Sequence, residues 1–105
     1  MEFLVEFDFH VPAGIAESEV QERVDAEGVA SANLARQGHL VRLWRPPLKP
    51  GERKAVGLYR AETRSELDGL LAALPLNGWM EATVTPLAPH PHDPAHAEPV
   101  ASPKA

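Results

Sequence analysis

The sequence predicts an α+β fold: a four-stranded antiparallel sheet with two helices on one face, in the order β-α-β-β-α-β. Three observations carry this reading. Residues 1–10 alternate apolar and polar with period two. Two later segments open on a Ser/Thr-x-x-Gln/Glu pattern and continue with apolar residues at helical spacing. Short alternating runs bounded by Gly and Pro supply the other strands.

In the first strand Met1, Phe3, Val5, Phe7 and Phe9 face one way, and Glu2, Glu6, Asp8 and His10 the other. Leu4 is the apolar exception on the polar face, and Pro12 and Gly14 end the strand. Ser18-x-x-Gln21 fits a capping box for the first helix, with Glu17, Glu19 and Glu22 near the positive end of its dipole. Arg36 stands in the last turn and Gly38 closes the helix. Residues 39–45 read as the second strand, with Leu40, Arg42 and Trp44 expected together on the open sheet face. Residues 46–51, Pro-Pro-Leu-Lys-Pro-Gly, are a loop. Lys54–Ala61 is the third strand, with Val56 and Leu58 on one face. Thr63-x-x-Glu66 caps the second helix, Leu67, Leu70, Leu71 and Leu74 form its stripe, and Pro75 stops it. Met80–Thr85 is the fourth strand, with Met80, Ala82 and Val84 on one face. Two right-handed crossovers join these elements. The open sheet face is then half apolar, so a second subunit is expected to pack on it.

At 105 residues the chain holds one domain. Eleven prolines are about twice the usual share, and six of them fall in the last 20 residues. The expected division is a folded domain over residues 1–87 and a flexible Pro/His-rich tail over residues 88–105. There is no cysteine, which excludes disulfides, Fe–S clusters and thiol nucleophiles. No apolar run approaches a membrane span and no signal peptide opens the chain, so the expectation is a cytoplasmic protein without a membrane partner. A net charge of −5 argues against general nucleic-acid binding. The charge is uneven, however. Residues 1–35 hold eight acids and only Arg23 as a base, whereas residues 36–64 hold eight of the ten bases.

One residue breaks the pattern of the first helix. At about 100° per residue, Val20, Val24, Ser31 and Leu34 form an apolar stripe, and Glu27 falls in its centre. A carboxylate there is paired, neutral, or at the edge of a cavity. Burial would raise its pKa toward the range of a general base working near neutral pH. An ion pair with an arginine of the basic segment accounts for the position equally well, as does a helix rotated enough to wet Glu27. A second group, Arg42-Leu43-Trp44-Arg45, could bind a carboxylate and stabilise an enolate, or be a strand with two solvated arginines and a packed tryptophan. Arg42 and Arg45 fall on opposite faces of a regular strand. Both serve one pocket only if the strand end twists or a second subunit contributes. Tyr59 and Trp79 pack or line a cavity wall. His90, His92 and His96 are a weak metal pattern, and no metal site is assigned.

At these residues the chain resembles the muconolactone Δ-isomerase family. The likeness rests on Ala26-Glu27, Leu34-x-Arg36-x-Gly38, Leu43-Trp44-Arg45 and the run from Leu74 to Met80, with His90-Pro91 as a further familial feature. It implies a ferredoxin-like fold and a dimeric α+β barrel. Sheet-to-sheet dimers would build larger rings, typically decamers, with no metal or organic cofactor. The activity implied is the shift of the muconolactone double bond to give 3-oxoadipate enol-lactone, in the β-ketoadipate route of aromatic catabolism. Glu27 would take the ring proton γ to the carbonyl, a dienolate would form, and the acid form of Glu27 would return the proton at the α carbon. Arg45, aided by Arg42, would hold the substrate carboxylate or the developing oxyanion. Arg42, Trp44, Arg53 and Tyr59 are the expected substrate-binding residues.

The chain departs from the family pattern in two places. Arg42 stands where relatives carry a histidine, and Arg53-Lys54-Ala55 where they carry a Tyr-x-Asn pair, after a longer, proline-rich loop. Two alternatives stand beside the isomerase. One is a related α+β-barrel enzyme performing a proton shift or cyclisation in secondary metabolism on a larger or more anionic substrate. The other is a non-catalytic binding or assembly module.

Overall fold

The computed structural model describes residues 1–95. Its elements are β1 (Glu2–Phe9), α1 (Glu17–Arg36), β2 (Leu40–Trp44), β3 (Lys54–Arg60), α2 (Arg64–Ala72) and β4 (Met80–Leu87), with a 3-10 turn over Asn77–Trp79. The expected order is therefore observed. The sheet runs β2-β3-β1-β4, and every neighbouring pair is antiparallel. This is the split β-α-β arrangement, in which each crossover skips over one strand.

The alternation of β1 decides which face becomes the core. Phe3, Val5 and Phe7 are buried, and their cross-strand partners Tyr59, Gly57 and Ala55 point the same way. Leu34 of α1 and Leu67 and Leu71 of α2 close over them from that side. Phe7 meets the Tyr59 ring edge-on at 6.0 Å between centroids. The opposite face carries Glu2, Leu4, Glu6 and Asp8, and neither helix packs on it.

The two helix starts differ. Thr63 Oγ1 accepts the Glu66 N–H at 3.0 Å, and Glu66 returns a bond to the Glu62 N–H at 2.7 Å. The expected cap at Ser18 does not form: α1 begins at Glu17, its N-cap is Ala16, and no side chain caps it. Ser18 therefore lies inside the first turn, past the position from which a hydroxyl can cap. At the other end Gly38 takes φ +83°, the left-handed conformation that turns the chain into β2.

A second difference lies in β2. Its pairing steps from Leu40 opposite Tyr59 to Arg42 opposite Leu58, leaving Val41 as the extra residue of a bulge. Directly opposed residues share a face, so Leu40 and Leu43 both turn toward the helices. Only Arg42 and Trp44 are left on the open face. The expected grouping of Leu40 with them is thus incorrect, because strict alternation fails at a bulge. β4 runs two residues past the expected end, through Pro86 to Leu87. A proline is tolerated there because β4 is an edge strand. Among the described residues no helix is long and apolar enough to cross a membrane.

Candidate active site

The N-terminal half of α1 does not lie on the sheet core. Val20 and Val24, read from the sequence as part of a buried stripe, instead form one wall of a cleft of about 520 Å³. The facing walls come from Phe9 at the end of β1, from Leu43, Trp44 and Arg45 at the end of β2, and from Arg53, Lys54 and Ala55 at the start of β3. Leu76 and Trp79 close it from the turn after α2. Arg45 gets there by alternation: Leu43, opposite Gly57, is on the helix side of the sheet, and Arg45 follows it two residues later. Neither a strand twist nor a second subunit is needed to bring Arg45 in.

Glu27 stands beside this cleft rather than on its lining. Val24, one turn earlier on the same stripe, and Leu76 are the lining residues that flank it. The Leu76 N–H donates to Glu27 Oε1 at 3.0 Å. The expected alternative of an ion pair with an arginine is not what holds it, because no salt bridge to Glu27 forms among the described residues. Among the described residues its second carboxylate oxygen has no hydrogen-bond partner. Among the described residues no buried side-chain oxygen or nitrogen is both sealed from solvent and unpartnered. The free oxygen of Glu27 therefore faces accessible space. Burial raises the Glu27 pKa above the ordinary glutamate value, and the Leu76 N–H opposes that rise.

Tyr59 sits in the core at 2% exposure. Burial, and then the negative charge of Glu27, push its phenol up to about 12. It stays a neutral donor at physiological pH, close enough to Glu27 to feel its charge. Tyr59, expected among the substrate-binding residues, is not on the cleft lining. Arg42 is not on the lining either. Its guanidinium lies on the open face, 5.0 Å from the centre of the Trp44 ring, and Trp44 continues to the cleft rim. The structure thus brings Trp44, Arg45 and Arg53 together, with Glu27 and Tyr59 alongside and Arg42 outside.

Trp79, expected to pack or to line a cavity wall, lines the cleft, and Arg23 holds it with its guanidinium 4.5 Å from the ring centre. Other members of the site had no sequence signal. Glu52 also lines the cleft. It accepts the Lys49 N–H at 2.8 Å and lies 3.5 Å from Lys54 Nζ, and these contacts, the backbone bond first, hold its pKa down. Among the described residues one trio of side chains could hold a metal, Asp8, His10 and Glu81, on the open face away from this cleft. His90 and His92 belong to no such trio, and His96 lies outside the described residues.

A family model described as muconolactone delta-isomerase matches residues 1–93. Muconolactone Delta-isomerase 1 of Acinetobacter lwoffii is 32% identical over 91 residues, covering 87% of this chain and 92% of that one. The muconolactone Delta-isomerase of Acinetobacter baylyi is 30% identical over the same length and coverage. Among solved structures, a muconolactone isomerase superposes with a TM-score of 0.81 at 23% identity, covering 93% of this chain and 98% of that one. A 5-chloro-2-hydroxyhydroquinone dehydrochlorinase from Burkholderia phenoliruptrix, in complex with 2,5-dihydroxybenzoquinone, has a TM-score of 0.59 at 18% identity, covering 89% and 99%. That likeness is one of fold.

Proposed function

The chain belongs to the muconolactone Δ-isomerase family, and on that premise we propose that it moves the ring double bond of an unsaturated lactone, muconolactone being the first substrate to test. One observation carries the reading. Glu27 is held by one oxygen on the Leu76 N–H, leaves the other open, and has a raised pKa beside a cleft with a cationic mouth.

The chemistry follows from that arrangement. The free oxygen of Glu27 removes the ring proton γ to the lactone carbonyl. The C–H electrons enter the conjugated system, and the negative charge moves to the carbonyl oxygen as a dienolate. The new carboxylic acid then delivers the same proton to the α carbon, the carbonyl re-forms, and Glu27 is a carboxylate again. The double bond has moved one position and nothing else is consumed, so the reaction needs no cofactor. A carboxylate with a raised pKa suits both halves, because it is a stronger base in the first and still a competent acid in the second. Arg45 binds the substrate carboxylate or the dienolate oxygen. Trp44 and Trp79 supply apolar walls for the ring, and Arg53 stands at the entrance. Tyr59 holds the surroundings of Glu27 from behind.

The open sheet face supports a dimer of sheet-packed subunits. Leu4, Val56 and Leu58 are half-buried there, and Trp44 and Leu87 are about 41% and 38% exposed beside them. Light scattering at micromolar concentration reads this directly.

Ultraviolet absorbance and proton NMR of muconolactone with the wild type and Glu27→Gln test the function. Conversion to the enol-lactone by the wild type, lost in the variant, is expected. A wild type without turnover, or a fully active variant, would overturn it. A second reading, the same proton shift on a different lactone, is favoured by Arg53 and Lys54 on the cleft lining.

A further inference from the structure

The mouth of the cleft holds more positive charge than a single carboxylate uses. Arg45, Arg53 and Lys54 line it, against one acid, Glu52. Glu52 is already committed to Lys54, at 3.5 Å, and to the Lys49 N–H. Lys54 is thereby neutralised. Arg45 and Arg53 form no salt bridge with any acid among the described residues. Two unpaired guanidinium groups in one cleft are notable in a chain of net charge −5. A guanidinium stays charged at every relevant pH and presents a planar fork that matches a carboxylate.

The backbone fixes where the two arginines stand. Arg45 follows β2 and Arg53 precedes β3, so they sit on adjacent legs of one hairpin, and both line the cleft. The Arg53 carbonyl accepts the Phe9 N–H at 2.8 Å, which ties that leg to β1. Pro46, Pro47 and Pro50 lie in the connecting loop, each with its φ locked. The rest of the lining is mainly apolar, so an anion entering the cleft finds its partners only at the mouth.

We infer that the substrate is a dianion: an unsaturated lactone with two carboxylates, one for each arginine, and its ring between the apolar walls. This rests on the proton-shift reading of Glu27 and names the substrate class for it.

The test is a binding measurement that needs no turnover. Trp44 and Trp79 both line the cleft, so their fluorescence reports occupancy. The probes are two saturated γ-lactones, one bearing one carboxylate and one bearing two, titrated into the wild type, Arg45→Gln and Arg53→Gln. The wild type is expected to bind the dicarboxylate at least tenfold more tightly, with the steeper salt dependence. Each variant is expected to reduce that ratio to twofold or less, and Arg53→Lys to restore part of it. Equal affinities in the wild type, or an unchanged ratio in both variants, would overturn the inference. Its failure would leave the proton-transfer role of Glu27 intact, since that role is read from turnover in Glu27→Gln and not from this ratio.

Discussion

Gly57 is where the core and the site constrain each other most tightly. A Cβ built on it would lie 2.6 Å from Tyr59 Cε1, 3.3 Å from Tyr59 Cδ1 and 3.4 Å from Leu43 Cδ1. The Tyr59 ring leans back along β3 and occupies the place of a side chain at position 57. In Gly57→Ala the ring must swing away, but Tyr59 is 2% exposed and stands edge-on to Phe7. Overpacking of this kind costs about 1–3 kcal/mol. The lower chain entropy of alanine in the unfolded state returns about 0.5–1 kcal/mol. With mid-range values the net loss is about 1 kcal/mol, a fall in Tm of roughly 4–8 °C for a domain of this size. Thermal denaturation followed by far-ultraviolet circular dichroism measures it, and the near-ultraviolet tyrosine signal should change as well. Adding Tyr59→Phe should not rescue the variant, because the overlap is with ring carbons and not with the hydroxyl. A Gly57→Ala protein as stable as the wild type would refute the packing of Tyr59 described here.

Three further outcomes are expected. Glu27 has a raised folded-state pKa, so its contribution to stability is full below the unfolded glutamate value and is lost as pH rises through the folded one. Glu27→Gln, which keeps the acceptor for the Leu76 N–H, should therefore gain stability relative to the wild type between pH 3 and pH 7 in urea unfolding. The acid limb of wild-type kcat/KM should lie above the ordinary carboxylate range. Tyr59, at about 12 in the folded state against 10.0, should cost the protein roughly 3 kcal/mol as pH rises through that interval, and Tyr59→Phe should remove this alkaline loss. Thr63→Ala should destabilise by about 1 kcal/mol through its lost cap, while Ser18→Ala, which removes no cap, should stay within about 0.5 kcal/mol in the same unfolding assay.

Period and punctuation made the fold readable. The alternation over residues 1–10 and four leucines at helical spacing before Pro75 each permit one element type. Glu27 was legible for a related reason: a carboxylate on an apolar stripe has to be explained by its surroundings. Its partner was not legible, because a backbone N–H at Leu76 looks the same whatever the residue. The bulge at Val41 was also hidden, since nothing in Leu-Val-Arg-Leu-Trp marks an extra residue. It turned Leu40 toward the helices, while Arg42 stayed on the open face where regular alternation had put it. The cleft itself is assembled from β1, α1, the β2–β3 hairpin and the turn after α2, and no local pattern reports such a meeting. Tyr59, read in sequence as either packed or a cavity wall, is core in the structure.

The central claim is that Glu27 alone carries the proton between two carbons. Muconolactone deuterated at the γ carbon, turned over in ordinary water and followed by NMR, tests it most directly. The wild type should show a primary isotope effect and leave part of the deuterium at the α carbon, and Glu27→Gln should be slower by about 100-fold or more. Deuterium lost completely to water, together with wild-type turnover in Glu27→Gln, would contradict it.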